Sequence, residues 1–318
     1  MARSIIIDTD MLADDALAVL LAVASPELDV KAITCMAGRD PVEVITQNTL
    51  RVLRLADAGD IPVATGATKP LLAKAGTGLI LGQKSPWNRL IGSVEEFMPT
   101  PDSELHPSHA VELILSLVNQ YANDIELVTL GPLTNIAMCL MSDDDFANKV
   151  SRVVMMGGAI FVPGNSAPAA ETNVYADPEA ARIVFQSGLP ITMVGLDVTT
   201  KVLMTMEHAQ RVQTSRLPTV NKFIAEIISS SLEAQRAIRK WNGFPMHDPL
   251  AMAVAFDTSL VTIERMFVDV ETQGELSRGS TVGDSRNVWG KTPNVDVCVG
   301  VEADRFMEFY VDRISTGY

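Results

Sequence analysis

The feature that most constrains this chain is an alternation of short, apolar, β-branched runs with longer amphipathic segments, from the N-terminus to about Val194. The runs "SIII" and "VVMM" are apolar throughout, which is typical of strands covered on both faces. Such an alternation predicts parallel strands joined by right-handed helical crossovers. We therefore predict an α/β fold, with a mainly parallel central sheet flanked by helices and a Rossmann-like core.

The pattern also predicts where individual elements lie. Apolar residues recurring on one helical face, or clustered in short runs, separate helices from strands. Strands are predicted near Ser4–Asp8, Val30–Met36, Ile125–Thr129, Arg152–Met156 and Ile191–Val194, and helices near Asp14–Ala24, Val42–Asp57, His109–Asn119 and Pro178–Gln186. Thr199–Trp241 reads as helical, and Met266–Gly300 reads as strands around a hairpin-like "SRGSTVGDSRN". No linker or repeat divides the chain, which predicts one domain over 1–318.

Composition narrows the class of partner. The 318 residues carry a formal charge of −14, which disfavours a nucleic-acid polymer, because binding its backbone needs clustered Lys and Arg. The apolar stretch Ala16–Ala24 is shorter than the roughly 20 residues that span a bilayer. The three cysteines are widely spaced without a metal-site pattern, which suits a reducing compartment. We expect a cytoplasmic protein with a small-molecule ligand and no membrane association.

Four aspartates, Asp8, Asp10, Asp14 and Asp15, lie where the first predicted strand meets the first helix. Ligands bind at this edge of an open parallel sheet. Helix capping would explain one or two of these acids. Four close carboxylates repel one another, and a bound cation would relieve that repulsion. Ligands that are all oxygen favour calcium or magnesium over zinc or copper.

Two further stretches carry candidate site residues. "HDPLAMA" places His247 and Asp248 before a small-residue helix, although Asp-Pro is also an ordinary helix start. "GNSAPAAETNVYADPEAA" presents Asn165, Glu171 and Asn173 on a long Gly- and Pro-bearing loop. Asparagine often has only a turn role in loops. Here the amide, carboxylate and amide together supply the donors and acceptors that a polyhydroxylated sugar needs.

These residues resemble a known family, the calcium-dependent nucleoside hydrolases of the inosine-uridine preferring type. The resemblance covers nearly the whole chain through four blocks in the family's order, which are "DTDMLADDA", "LGPLTNIAM", "GNSAPAAETNVYADPEAA" and "HDPLAMA". It implies a nucleoside hydrolase fold and an N-ribohydrolase, which splits the N-glycosidic bond of a nucleoside into ribose and free base. Homodimers or homotetramers are also implied.

The resemblance implies a role for each matching residue. Asp10, Asp15 and Asp248, with the backbone carbonyl of Leu130, would bind Ca²⁺. Asp14 would be the general base on a calcium-bound water. Asn165, Glu171 and Asn173 would hold the ribose hydroxyls, and His247 would protonate the departing base. These roles are chemically coherent, because glycosidic cleavage has an oxocarbenium-like transition state that a carboxylate-rich pocket stabilises.

The chain departs from the family pattern at three places. The usual first block is DxDPGxDDA, and Met11-Leu12 replaces its Pro-Gly. After the second strand Arg39 stands where the family has asparagine, so that Asp40 could take over that role or Arg39 could reach a more anionic substrate. A histidine-bearing loop near the base is missing, and Trp87 could stack on the base there, or simply pack.

Two other functions compete with the nucleoside hydrolase. A metal-dependent phosphohydrolase would also begin with Asp8-Thr9-Asp10, but it would leave the Asn/Glu/Asn loop unexplained. A nucleoside- or sugar-binding relative without activity would fit Met11-Leu12 and Arg39, but it would need neither Asp14 nor His247. Base preference is expected to depend on two variable regions, Lys69 to His106 and Phe223 to Trp241.

Overall fold

A nine-stranded sheet forms the centre of the computed structural model, which describes residues 2–72, 104–213, 216–238 and 242–318, with the backbone alone at 233–238. The described strands are β1 (Arg3–Thr9), β2 (Leu28–Cys35), β3 (Val63–Thr65), β4 (Ile125–Thr129), β5 (Arg152–Met156), β6 (Ile191–Val194), β7 (Leu203–Met204), β8 (Phe244–Pro245), β9 (Val261–Val270), β10 (Thr281–Asp284) and β11 (Val295–Val301). β7 and β8 pair separately as a small antiparallel ribbon.

Helices connect most of these strands. The described helices are α1 (Ala13–Val23), α2 (Val42–Leu55), α3 (Ala110–Gln120), α4 (Thr134–Ser142), α5 (Phe146–Lys149), α6 (Thr172–Ala176), α7 (Pro178–Gln186), α8 (Leu196–Thr199), α9 (Met206–Arg211), α10 (Pro218–Ile238), α11 (His247–Phe256) and α12 (Ala303–Gly317), with a 3₁₀ turn at Thr258–Leu260. Within the described residues, no helix is both long and apolar enough to cross a bilayer.

The strand order in the large sheet is β10-β9-β11-β6-β5-β4-β1-β2-β3. Every pair from β11 to β3 is parallel, and only β9 and β10 add antiparallel strands at one edge. The chain moves from β1 outward to β2 and β3, then returns to the other side of β1 with β4. In open parallel sheets, ligands bind where the strand order reverses in this way. The fold therefore places the expected binding crevice between the ends of β1 and β4.

Both faces of the sheet are covered, because successive strand side chains point to opposite sides. Ile5 and Ile7 of β1 pack into one core with α1, α2, α11 and α12. Ile6 faces the other core, where it joins residues of α3, α4 and α7. All three isoleucines are fully buried, which is why β1 needs three consecutive apolar residues.

The predicted fold class is confirmed, and β4, β5, β6 and α7 have the predicted bounds. Two local predictions are wrong. The hairpin-like segment contains β10, which extends the sheet by pairing with β9. The region from Thr199 to Trp241 is not continuously helical, because the β7 strand and α9 precede α10. The three-residue strand β3 was not predicted, since so short a run gives no periodic signal.

Candidate active site and metal centre

The acidic turn begins at the end of β1, where the side chain of Thr9 organises the backbone that follows. The Thr9 hydroxyl donates to the carboxylate of Asp15 and accepts from the backbone N–H of Met11 at 3.0 Å. The other oxygen of Asp15 accepts from the backbone N–H of Leu12 at 2.9 Å. An acidic residue three positions into a helix that reaches back to the N-cap amide stabilises the helix start. Asp15 is therefore held in place by the turn itself.

Met11 and Leu12 take a backbone path that Pro-Gly could not follow. Met11 has φ of +38° and is buried, whereas a proline ring fixes φ near −65°. Leu12 has φ of −86°, an ordinary value that needs no glycine. The positive φ costs of order 1 kcal/mol at a non-glycine residue. The burial of the Met11 side chain offsets that strain, and the aspartate spacing is kept.

The helix starts of α1 and α11 bring three carboxylates together. Among the described residues, Asp14, Asp15 and Asp248 each offer an oxygen, and these oxygens lie within 4.8 Å of one another. All three belong to the first turn of a helix, where the positive end of the dipole favours negative charge. Asp248 Oδ1 is buried without a hydrogen-bond partner in the described part of the chain. An unpaired buried oxygen beside two further carboxylates suits a hard cation such as Ca²⁺ or Mg²⁺.

The raised pKa values of these carboxyl groups also support a cation site. Burial, and then the neighbouring Asp15, raises the pKa of Asp14 to about 7. Burial, and then the charges of Asp14, Asp15 and Asp10, raises the pKa of Asp248 well above its ordinary range. In the absence of a cation these carboxyls hold protons that a divalent ion would displace.

Asp10 lies against two glycines at the ends of neighbouring strands. A Cβ on Gly38, after β2, would lie 1.9 Å from Asp10 Oδ2, and a Cβ on Gly131, after β4, would lie 2.9 Å from the Asp10 backbone nitrogen. Asp10 is not one of the three carboxylates grouped above, but burial and then the charges of Asp15 and Asp14 raise its pKa well above the usual range. Gly38 and Gly131 are therefore needed for close approach to this carboxylate.

Asp8, the fourth aspartate, connects β1 with the neighbouring strand β2 and with α4. Its Oδ1 accepts from the Thr34 hydroxyl and, at 2.9 Å, from the Asn135 amide. Burial raises the pKa of Asp8 to about 7, although these two hydrogen bonds act in the opposite direction.

The loop after β5 and the short α6 helix carry the candidate sugar-binding residues. The Glu171 carboxylate caps α6 by accepting from the backbone N–H groups of Asn173 and Val174, and it also accepts from the backbone N–H of Gly158 after β5. The Asn165 Oδ1 accepts from the backbone of Thr172 at 2.9 Å. Glu171 and Asn173 are buried, and the charge of Glu171 acts on Asp10. These contacts place Glu171 near the carboxylate cluster and fix the Asn165 side chain on the same loop.

Leu130, the expected carbonyl ligand, follows β4 at the strand-order reversal. Its carbonyl oxygen accepts from the Asn173 side-chain amide at 2.7 Å, and the same amide lies 3.2 Å from the Met156 carbonyl oxygen. A carbonyl oxygen has two lone pairs, so this hydrogen bond leaves one for a cation.

Arg39 and Asp40 follow β2 and are half-buried. Arg39 Nε is buried without a hydrogen-bond partner among residues that the structure describes. The Arg39 charge lowers the pKa of both Asp10 and Asp14, partly opposing the effect of burial. Arg39 therefore belongs to the electrostatic surroundings of the site. Trp87 lies outside the described residues, as does most of the predicted variable region from Lys69 to His106.

His247 begins α11, directly before Asp248. Its Nδ1 lies 2.7 Å from the hydroxyl oxygen of Thr199, the last residue of α8. The same short helix holds the loop after β5, because the Asp197 carboxylate accepts from the backbone N–H groups of Ile160 and Phe161 at 3.0 and 2.7 Å.

Sequence reasoning did not select Thr9, Asp197 or Thr199, although each follows or ends a predicted strand. The segment "GLDVTT" comes directly after β6, at the sheet edge that carries the acidic turn. Polar residues immediately after a buried parallel strand were the available signal. Gly38 gave no signal, because its role depends on the distance between two strands.

Comparisons with known proteins agree with this geometry. Residues 5–308 match the family model described as inosine-uridine preferring nucleoside hydrolase. The chain is 41% identical over 317 residues to the pyrimidine-specific ribonucleoside hydrolase RihA of Escherichia coli O8 (strain IAI1), covering 99% of both proteins.

Solved structures that are similar to this chain are also nucleoside hydrolases. A purine-preferring ribonucleoside hydrolase from Gardnerella vaginalis superposes with a TM-score of 0.89 at 30% identity, with 99% of each chain covered. A plant nucleoside hydrolase, the PpNRh1 enzyme, superposes with a TM-score of 0.88 at 31% identity, covering 99% of this chain and 100% of that one.

Proposed function

This chain belongs to the inosine-uridine preferring nucleoside hydrolase family, which acts on N-glycosyl bonds, and we propose that it hydrolyses ribonucleosides to ribose and free base at the Asp14, Asp15 and Asp248 cluster. The observation that carries the proposal is this meeting of three carboxylates, with oxygens within 4.8 Å of one another, at the strand-order reversal. Family membership favours this activity over a phosphohydrolase.

We propose Ca²⁺ as the cation, held by Asp10, Asp15, Asp248 and the Leu130 carbonyl. The set fits a hard cation, because every donor is an oxygen and Asp248 Oδ1 has no partner among the described residues. When bound, the cation would lower the pKa of a coordinated water and neutralise part of the carboxylate charge. A coordinated Leu130 carbonyl would keep its hydrogen bond from Asn173.

Asp14 is the proposed general base. Its pKa of about 7 without a cation reflects burial and the nearby Asp15 charge, and a cation beside it would lower that pKa, so that the carboxylate is ionised at neutral pH. The ionised Asp14 takes a proton from the attacking water, and the resulting hydroxide bonds to C1′ of the ribose.

Asn165, Glu171 and Asn173 are the proposed ribose-binding residues. Their support is the rigid loop geometry, in which Glu171 accepts three backbone N–H bonds and Asn165 accepts one. Residues held in this way lose little conformational entropy when a sugar binds. The negative charge of Glu171 also stabilises the oxocarbenium-like transition state.

Arg39, Asp40 and Trp87 are proposed to line the substrate pocket. Arg39 is supported by its electrostatic action on Asp10 and Asp14, and Asp40 by its position directly after it. The proposed role of Trp87 rests on the sequence alone.

His247 is the proposed acid for the leaving group. As the N-glycosidic bond breaks, its electron pair moves onto a ring nitrogen of the base, and His247 delivers a proton to the departing base. The support is its place beside Asp248 at the start of α11. Relatives include one named pyrimidine-specific and one named purine-preferring, so we propose ribonucleosides as the substrate class without a choice of base. The single domain, the homo-oligomer and the cytoplasmic location stay predictions.

The test is release of reducing sugar from a panel of purine and pyrimidine ribonucleosides, with Ca²⁺ and with a chelator. We expect hydrolysis with Ca²⁺ that is lost in the chelator and falls at least about 100-fold in Asp14→Asn. Asp29→Asn, an exposed position near the start of β2 and therefore at the end of the sheet opposite to the acidic turn, is the control and should keep full activity. No hydrolysis by the calcium-loaded protein would leave the inactive binding relative as the better interpretation, and phosphate release from sugar phosphates would favour a phosphohydrolase.

A further inference from the structure

The hydrogen bond between Thr199 and His247 joins two elements that are distant in the sequence. The Thr199 hydroxyl oxygen lies 2.7 Å from His247 Nδ1, and Thr199 has no exposed surface. A buried hydroxyl needs a hydrogen-bond partner. The bond therefore constrains both the position and the ring orientation of His247.

An imidazole has two different nitrogens, and the hydrogen bond at one of them decides which role the other can take. Thr199 contacts Nδ1, so Nε2 is the nitrogen on the opposite side of the ring. A hydroxyl both donates and accepts, whereas a carboxylate only accepts. To give up a proton from Nε2, His247 must start as the imidazolium, which carries N–H groups on both nitrogens. The Nδ1–H then donates to the Thr199 hydroxyl oxygen before and after the transfer, without any rearrangement of the ring.

Thr199 is itself held rigidly. The backbone N–H of Leu196, at the start of α8, donates to the Gly158 carbonyl at 2.9 Å, and Asp197 accepts two N–H bonds from the loop after β5. A Cβ on Gly195 would lie 2.9 Å from the same Gly158 oxygen, so the two segments approach closely. The α8 helix therefore connects His247 with the loop that carries the proposed ribose-binding residues.

We propose that Thr199 is a positioning residue that fixes Nε2 of His247 as the atom delivering the proton to the departing base. The inference rests on the proposed function. In the step, the N-glycosidic bond breaks and its electron pair goes to the base nitrogen. The proton on Nε2 moves to the base, while the attacking water gives its hydroxide to C1′ and its proton to Asp14. The sum is addition of one water across the bond.

The test compares two kinds of substrate, because only one needs a proton on its leaving group. A nucleoside base leaves poorly as an anion, whereas the p-nitrophenolate of p-nitrophenyl β-D-ribofuranoside leaves without protonation. In Thr199→Val, which keeps the side-chain shape, we expect kcat for uridine and inosine to fall about 10- to 100-fold. The loss for the aryl riboside should be at least about tenfold smaller, and KM for the nucleosides should stay within about threefold.

Two matched variants separate positioning from packing. Thr199→Ser restores the hydroxyl and should recover most of the nucleoside rate. Thr200→Val removes the neighbouring hydroxyl, which donates to the Leu196 carbonyl within the same helix, and should change neither substrate's rate by more than about twofold. Equal losses on both substrates in Thr199→Val, or no loss on either, would overturn the proposal.

His247→Ala keeps this test distinct from a failure of the proposed function. If His247→Ala discriminates between the substrates and Thr199→Val does not, the positioning role alone is wrong. If neither discriminates, the acid role of His247 is wrong as well. Should the valine variant not fold, ¹⁵N NMR of the wild-type histidine rings decides, since a His247 Nδ1 without a hydrogen bond would also overturn the proposal.

Discussion

The side-chain amide of Asn173 lies 2.7 Å from the carbonyl oxygen of Leu130, so one residue of the proposed ribose-binding set contacts one atom of the proposed cation-binding set. The same amide also contacts the Met156 carbonyl, and both backbone segments end parallel strands. The proposed ribose-binding and cation-binding sets therefore share a structural element, and we expect a change at Asn173 to affect both.

Asn173→Ala leaves the Leu130 and Met156 carbonyls without this donor, which should lower the free energy of unfolding by about 1–3 kcal/mol in a chelator. With saturating Ca²⁺ the loss should be smaller, because the cation would interact with the Leu130 oxygen. Urea unfolding under both conditions measures the difference. An identical loss with and without Ca²⁺ would exclude Leu130 as a ligand.

Stabilisation by Ca²⁺ should grow as the pH rises. The pKa of Asp14 is raised from 3.8 to about 7, and those of Asp10 and Asp248 are raised by burial and then by the charges of Asp14 and Asp15. Without a cation the folded protein holds protons that the unfolded chain has released. Asp14 therefore stabilises the fold fully below about pH 4 and loses that contribution as the pH rises through about 7, and Asp10 and Asp248 act in the same direction.

A bound cation reverses this trend, because it requires ionised carboxylates. The increase in Tm on adding Ca²⁺ should therefore be several degrees larger at pH 7.5 than at pH 5. Thermal unfolding across this range, with Ca²⁺ or a chelator, is the measurement. A calcium effect on Tm that is the same at both pH values would contradict the assignment of these carboxylates.

Arg39→Asn should tighten cation binding. The Arg39 charge lowers the pKa of Asp10 and Asp14, and the same field opposes a divalent cation beside them. In a partly screened site, removing one nearby positive charge should make the free energy of Ca²⁺ binding about 1 kcal/mol more favourable. This corresponds to roughly a fivefold lower Kd. Isothermal titration calorimetry measures this affinity. Arg39→Lys keeps the charge and serves as the control, and equal affinities for all three proteins would count against the electrostatic role.

Met11→Pro should destabilise the protein by about 3 kcal/mol or more, because proline cannot adopt φ of +38° and cannot donate to Thr9 Oγ1. Leu12→Gly should bring no stabilisation and cost about 1 kcal/mol, since φ at Leu12 is already negative and glycine adds freedom to the unfolded chain. Urea unfolding of both variants is the measurement. A fully stable Met11→Pro protein would show that the turn does not follow the path described.

Much of the fold followed from local patterns in the chain. The strands β4, β5 and β6 have the predicted bounds, because their apolar runs are short and have clear polar ends. The prediction failed for Thr281–Asp284, whose polar and glycine-rich sequence looks like a turn. It forms a strand because the neighbouring β9 offers it a backbone to pair with, and such pairing depends on tertiary context rather than propensity.

The sequence by itself determined the α/β class, the acidic turn and the family, since apolar periodicity and the order of short motifs are local properties. The resemblance already implied that Asp248 joins Asp14 and Asp15, and the tertiary structure brings their oxygens together. Only the tertiary structure decided that Gly38 must be small beside Asp10 and that Thr199 contacts His247. The physical reason is that these relationships depend on distances between strand ends and helix starts far apart in the chain. Those distances are set when the two faces of the sheet pack, and the turn at Met11-Leu12 keeps its aspartates in place through the same packing.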